Sequence, residues 1–296
     1  SQMIDLGWAG MAIPEAYGGF DFGYGGLGVV LEETGKTLVS SPLISTVLVG
    51  ATAIVQLGNE TQKQDLLPKI VAGELLTALA LDEHTNHNPS KIATTATKVD
   101  GGYALNGSKT FVLDGHVANM LIVASRTSGE TIGEQGISLF LVDANAKGLN
   151  VVRTIMVDSR NSSNIQFNNV VVAEDALLGE LDQGFNGLDS VLDIARIGIA
   201  AEMLGSMQAV FESILEFLKQ REQFGVLIGS FQGLQHRAAE MYSEIELCKS
   251  AVRAALAGLD DPDTTQAERA ELASMTKAKL SEVFFLVSNE GIQMHG

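Results

Sequence analysis

Arg221-Glu222-Gln223-Phe224-Gly225, followed by Phe231-Gln232, brings a guanidinium, an aromatic ring and an amide into one short stretch. An always-charged guanidinium pairs its forked donors with phosphate oxygens, and a flat ring lies against apolar faces. These are the chemical handles a dinucleotide requires. The same residue types also suit a helix C-terminus, where a cation meets the negative end of the dipole and a ring tucks into the core. The choice between the two rests on the elements that carry the stretch.

Other candidate groups are weaker. The run Asp82-Glu83-His84-Thr85-Asn86-His87 gathers carboxylates and imidazoles, and His84 and His87 have ligand-like spacing. No third strong ligand stands at a defined distance, so a solvated loop is expected and no metal is assigned. Glu32-Glu33 could suggest acid–base work, but neighbouring carboxylates on a helix read as a solvated face. Cys248 falls in an apolar seam, which gives it a packing role.

The chain has 296 residues, 46% of them hydrophobic, enough to bury large cores and form more than one structural unit. A formal charge of −17 disfavours nucleic acid and anionic membrane as partners, because both need an excess of Lys and Arg. The single cysteine excludes an internal disulfide or a thiolate metal cluster and fits a reducing compartment, so a cytoplasmic location is expected. No signal peptide is visible, since Ser1-Gln2-Met3 leads directly into patterned sequence. Leu43 to Leu57 is too short to span a bilayer and carries Ser45, Thr46, Thr52 and Gln56, so a buried helix and no membrane insertion are expected.

The hydrophobic period divides the chain into three parts. Residues 1–78 read as short helices with Gly-rich joints. Leu27, Val30, Leu31, Thr34 and Leu38 share one face, Gly58-Asn59 is a stop, and Pro68 is a break. Over 79–183 the period becomes two, with short β-rich runs separated by the turn signals Asp100-Gly101-Gly102, Asn106-Gly107, Asp114-Gly115 and Lys147-Gly148. A compact antiparallel β domain is expected there. Over 184–296 the helical period returns. Met207, Val210, Phe211, Ile214, Phe217 and Leu218 lead up to Arg221. Leu234, Ala238, Met241, Ile245, Cys248, Val252 and Ala255 form the seam of a long bundle helix. After Asp260-Asp261-Pro262-Asp263, a Thr265/Glu268 capping box starts a last helix with Ala273, Thr276, Leu280, Val283 and Val287 in its seam. The fold class is α+β: an N-terminal helical part, a middle antiparallel β domain and a C-terminal helical bundle.

That order, with specific residues, resembles the acyl-CoA dehydrogenase family over essentially the whole chain. Leu6-Gly7-Trp8 through Pro14-Glu15-Ala16-Tyr17-Gly18-Gly19 is similar to the family's Gly-Trp…Pro-Glu-x-Tyr-Gly-Gly segment, and Leu31-Glu32-Glu33-Thr34-Gly35 to its following helix. Leu105-Asn106-Gly107-Ser108-Lys109 resembles its Asn-Gly-x-Lys hairpin, and Gly179 through Gly184-Phe185 its passage into the bundle. The Arg221 stretch resembles the Arg-x-x-Phe-Gly…Gln signature, and Gly291-Ile292-Gln293-Met294-His295-Gly296 the Gln-x-x-Gly segment.

The resemblance implies a flavoprotein of fatty-acid or lipid metabolism that removes hydrogens from Cα and Cβ of an acyl-CoA thioester. A carboxylate takes the α proton and the β hydride goes to FAD. It further implies that Arg221, Phe224, Gln232, Gln293 and Gly296 contact the diphosphate and adenosine part of an FAD shared across the interface of a homo- or hetero-oligomer. Asp193 and Arg196, of the Asp-x-x-Arg segment, border the acyl-CoA pocket.

Three departures from the family pattern stand out. The Thr-Glu-Pro-x-Ala-Gly-Ser loop is replaced by Leu81 to His87, where added carboxylates and the lack of Gly are expected to face an anion poorly. The aromatic-x-Thr strand is Phe111-Val112-Leu113, without the hydroxyl. The resemblance places the catalytic carboxylate beyond Gly296 in most members and just before Arg196 in a minority, where this chain has Ala195; Glu202 is a candidate only by proximity. No catalytic residue is assigned. The alternative function is a non-catalytic partner subunit or scaffold of the same fold that completes a neighbour's FAD site.

Overall fold

The computed structural model describes residues 2–158 and 160–296, so Ser1, where the patterned sequence begins, lies outside the described residues. The chain folds into two compact units, Ser1–Asp21 with Ser40–Leu192, and Phe22–Val39 with Asp193–Gly296. The helical, β and helical composition is that of an α+β protein.

In the first unit, a short helix α1 (Gln2–Asp5) precedes a wholly buried π-helical segment, Leu43–Ala51, which continues as α3 (Thr52–Leu57). The apolar run is therefore core. Asn59 both follows α3 and caps α4 (Glu60–Val71) through a capping box with Gln62. Pro68 does not break the chain as its residue type suggests. It sits in the last turn of α4, where its missing N–H costs a single bond, and its own carbonyl still accepts from Ala72 at 2.9 Å.

The sheet comprises β1 (Thr77–Ala80), β2 (Thr95–Val99), β3 (Gly102–Leu113), β4 (Met120–Arg126), β5 (Ile137–Asp143), β6 (Leu149–Ile155), β7 (Asn161–Ala173) and β8 (Leu177–Leu178). Its order is β6-β7-β3-β2-β4-β5-β8, with β1 alongside β4. Pairing is antiparallel except where β4 meets β1 and, at Arg126, β2. Alternating residues of these strands, including Leu105, Val123, Phe140, Ile165 and Phe167, build one apolar core. Asp100-Gly101 makes the two-residue β2–β3 turn that its sequence implies. Asn106-Gly107 does not turn the chain. β3 runs straight through it with a register shift between Leu105 and Gly107, because Gly107 lies against Thr94, whose Cα would be 2.7 Å from an added Cβ.

Lys109, on β3, is among the largest fully buried side chains of the described residues, with none of it exposed. Its Nζ donates to the Leu81 carbonyl at 2.9 Å and to Glu83 Oε1 at 2.8 Å. Burial pulls its pKa down to about 8 against the opposing attraction of Glu83. Burial also pushes the Glu83 carboxyl upward, but the Lys109 charge and its hydrogen bonds outweigh this and hold it below its ordinary value.

The second unit contains α2 (Gly23–Lys36), the C-terminal part of α5 (Gly184–Gln220), α6 (Gln232–Asp260) and α7 (Gln266–His295). Leu27, Leu31 and Thr34 are buried as their spacing implies. Leu38 is not: it stands outside the helix, exposed, at φ +50°, because α2 ends at Lys36. The seam residues Ala238, Met241, Ile245, Cys248, Val252 and Ala255 of α6 are buried, as are Ala273, Thr276, Leu280, Val283 and Val287 of α7. Two glycines let α2 and α5 touch backbone to backbone. A Cβ on Gly205 would lie 1.8 Å from the Glu32 carbonyl, and one on Gly35 would lie 2.1 Å from that of Glu202. Both oxygens of Asp260 accept from the Tyr24 and Gly25 amides at 2.7 Å, satisfying free donors at the start of α2.

Two stability measurements test this description. Gly205→Ala should cost about 1–3 kcal/mol or more, since backbone rather than a movable side chain must yield, and the thermal midpoint should drop by several degrees. For Lys109, the charged form is buried at full cost below pH 8. Between about 8 and its ordinary 10.5 the folded chain releases the proton first, so the unfolded chain holds more protons and stability rises with pH. Urea unfolding should therefore show wild type gaining on Lys109→Met/Glu83→Gln across that window. A difference that stays flat would contradict the buried-ammonium assignment.

Candidate functional site

The connector between α5 and α6 is a β-hairpin rather than a simple helix end. Arg221 follows the last residue of α5, its amide donating to the Phe217 carbonyl at 2.9 Å. Strands β9 (Glu222–Gln223) and β10 (Val226–Leu227) pair across the two-residue turn Phe224-Gly225, both at positive φ, 56° and 77°. Such a turn normally takes Asn or Gly first, so a phenylalanine there is held in an unfavourable conformation. The result is a ring that is 91% exposed, set edge-on to Phe231 at 6.2 Å between centroids. Gln232 opens α6 immediately after it. Among the described residues no hydrogen bond or ion pair engages the Arg221 guanidinium or the Gln232 and Gln293 side-chain amides.

Gln293 and Gly296 lie at the end of α7, both exposed. The two segments are joined one turn before Arg221, where the Phe217 ring stacks on His295 at 4.4 Å. His295 Nδ1 meets the Gly291 carbonyl at 2.7 Å, which fixes that ring. An open groove of about 700 Å³ runs beside this contact, lined by Val210, Gly291, Ile292 and Gly296 among others. The structure thus gathers the Arg221 stretch and the Gln293 segment at one end of the bundle.

Asp193 and Arg196 lie elsewhere. They form an ion pair within α5, with Asp193 buried. Arg196 and Arg221 are separated by roughly 35–40 Å of helix at 1.5 Å per residue, so the two sets cannot converge on one small group within a chain. Ala195, beside Arg196, is buried and offers only a methyl group.

The loop 82–87 departs from its sequence expectation. Glu83 faces inward, its side chain 5% exposed, and accepts from Lys109 Nζ, from the Ala93 amide at 2.7 Å and from the Thr94 amide at 2.9 Å. Both Asp82 oxygens lie 3.0 Å from His87 Nδ1. The carboxylates expected to repel an anion are accordingly bound within the loop. No His, Cys, Asp and Glu group suited to a metal ion occurs among the described residues. Phe111 sits at φ +52° in the β3 irregularity, half exposed. Sequence reasoning missed Lys109 and Arg126 as organisers of this region. A lysine and an arginine inside otherwise apolar strands were the available signal.

The donor set at the bundle end fits a dinucleotide: a forked cation with no internal partner, an exposed ring and uncommitted amides. The sequence matches the acyl-CoA dehydrogenase N-terminal domain over residues 1–74, the middle domain over 79–170 and the C-terminal domain over 182–296. It is 32% identical to an acyl-CoA dehydrogenase of Bacillus subtilis, over 100% of this chain and 78% of that protein. It is 34% identical to the mitochondrial 2-methylacyl-CoA dehydrogenase of Solanum tuberosum over 88% of this chain, and the aligned region spans 64% of the length of that relative. The solved butyryl-CoA dehydrogenase of Megasphaera elsdenii superposes with a TM-score of 0.91 at 30% identity, covering 100% of this chain and 78% of that one. Three consecutive domain matches and this end-to-end structural likeness establish that the chain belongs to the acyl-CoA dehydrogenase family.

Proposed function

We propose that the chain catalyses α,β-dehydrogenation of an acyl-CoA thioester, with FAD as the hydride acceptor. The observation that carries the proposal is the Arg221 guanidinium, with no hydrogen bond or ion pair among the described residues, next to a strained turn that holds the Phe224 ring outward. A side chain kept at positive φ and almost fully exposed has no packing reason to be aromatic, whereas a ligand face gives it one. Arg221 pairs with a diphosphate, Phe224 lies against a ring of the nucleotide, and Gln232, Gln293 and Gly296 complete that end of the site. When bound, FAD supplies the redox chemistry by accepting the β hydride.

The exposure of all five residues supports a cofactor shared with a second subunit, in a homo- or hetero-oligomer. Asp193 and Arg196, far along α5, border the acyl-CoA instead. Their ion pair holds the guanidinium in a defined position. No carboxylate of this chain is assigned as the base, because Ala195 carries none. The apolar character of α5 needs no membrane: its most apolar window is 61% buried in the protein. The buried Cys248 thiol, pushed up to about 11 chiefly by burial, suits a reducing cytoplasm.

The reading of a flavin-poor partner subunit drew on a loop 82–87 that faces an anion poorly and on the hydroxyl missing from Phe111-Val112-Leu113. Pairing of Glu83 with Lys109 removes part of the first ground.

The purified protein should carry FAD and show its visible absorption. Arg221→Ala should weaken FAD retention by about 10–100-fold, the equivalent of about 1.5–3 kcal/mol for a charge-assisted hydrogen bond. Arg221→Lys should fall between, since it keeps the charge and loses the fork. Phe224→Gly relieves the turn, so it should weaken FAD up to about tenfold with no fall in thermal midpoint. Retention unchanged in Arg221→Ala would remove the stretch from the cofactor site.

A further inference from the structure

Within the second unit, α5 and α7 meet at the Arg221 end through a small set of contacts. Gly291 lets α7 close on α5: an added Cβ there would stand 3.1 Å from Val210 Cγ1 and 3.5 Å from Ile214 Cδ1. One turn further on, the His295 ring lies over the Phe217 ring, with centroids 4.4 Å apart and planes 28° apart. Its Nδ1 is 2.7 Å from the Gly291 carbonyl. A carbonyl oxygen only accepts, so Nδ1 carries a hydrogen and the ring is held in one orientation. On the α5 side, the Phe217 carbonyl accepts from the Arg221 amide at 2.9 Å. Phe217 therefore holds Arg221 through its backbone and the end of α7 through its ring.

Neither ring belongs to the core. His295 is exposed and Phe217 half-buried, so their stack removes little apolar surface from water. What it fixes is a spacing. Arg221 follows one helix and Gln293 lies in the last turn of another, and a ligand that spans them loses affinity for each degree of freedom it must freeze. Groups that act together on one ligand must be held to within about half an ångström by side chains that are themselves locked. The stack and the Gly291 bond are such a lock, and the groove of about 700 Å³ opens beside it.

We propose that Phe217 and His295 are positioning residues of the cofactor site: their stack sets the distance between Arg221 and the 293–296 segment, so that both reach one nucleotide without rearrangement. The inference rests on the flavin reading and adds to it two residues that act through others. Phe217 acts through the Arg221 backbone, and His295 through the last turn of α7.

Three variants separate the ring, the hydrogen bond and the bulk. Phe217→Leu keeps an apolar side chain and loses the ring, Phe217→Tyr restores the ring, and His295→Asn keeps a donor near the Nδ1 position and loses the stack. FAD dissociation, the apo thermal midpoint and amide exchange at Arg221 are measured on wild type, on these variants and on Phe217→Leu/His295→Asn. Phe217→Leu and His295→Asn should each weaken FAD about tenfold, and the double variant no further, because both remove the same contact. Phe217→Tyr should recover affinity to within about twofold of wild type. Exchange at Arg221 should accelerate about tenfold wherever the ring pair is lost, with an apo midpoint within about 4 °C of wild type. His295 is exposed, so His295→Asn carries the test if Phe217→Leu proves less stable than that. Affinity equal to wild type in His295→Asn, losses that multiply in the double variant, or a loss that Phe217→Tyr does not recover would each overturn the proposal. If wild type binds no FAD, the flavin reading fails separately and exchange at Arg221 decides the joint: faster in Phe217→Leu and His295→Asn and recovered in Phe217→Tyr sustains it, whereas exchange unchanged throughout refutes it.

Discussion

A lysine ammonium with no access to water must find its counter-charge and its hydrogen-bond acceptors inside the protein. Lys109 meets that demand with Glu83 and the Leu81 carbonyl, and the consequences spread outward. Glu83 cannot face solvent, so the chain after β1 must bring it inward. Once inward, its oxygens also take the Ala93 and Thr94 amides just before β2. The path of the 82–94 loop follows from one desolvated charge.

The bundle end is governed by a different constraint. The two-residue turn between β9 and β10 has positive φ at both positions, and this chain places Phe224 at the first of them rather than a residue suited to it. Local strain is retained where it aims a side chain outward, next to a guanidinium that has no ion pair among the described residues. The neighbouring stack of Phe217 on His295 ties the connector to the end of α7, so two stretches distant in sequence act as one surface.

Scaffold and site use the same economy of small residues and fixed polar groups. Gly35 and Gly205 bring α2 against α5 at a spacing no side chain permits, and Asp260 supplies the acceptors that the start of α2 lacks. The close approach at Gly35 and Gly205 fixes α5 against α2 at that point of the helix.

Much of this was legible from residue patterns. The change of hydrophobic period from helical to alternating and back gave the α+β class. The seams of α6 and α7, the Thr265/Glu268 box and the family resemblance also needed only local chemistry and spacing. Local patterns speak for contacts within a few residues or along one face. What they could not give were contacts between segments far apart in the chain. Asn106-Gly107 reads as a turn until Thr94 is packed against it, and Leu38 reads as part of a helix face until the end of α2 places it outside. Glu83 reads as a surface carboxylate until Lys109, on β3, claims it. The sequence by itself determined the kinds of elements, their order and the family. Tertiary structure alone decided which charges face inward and which polar groups stay exposed, because burial is a property of the assembled fold and not of the residue.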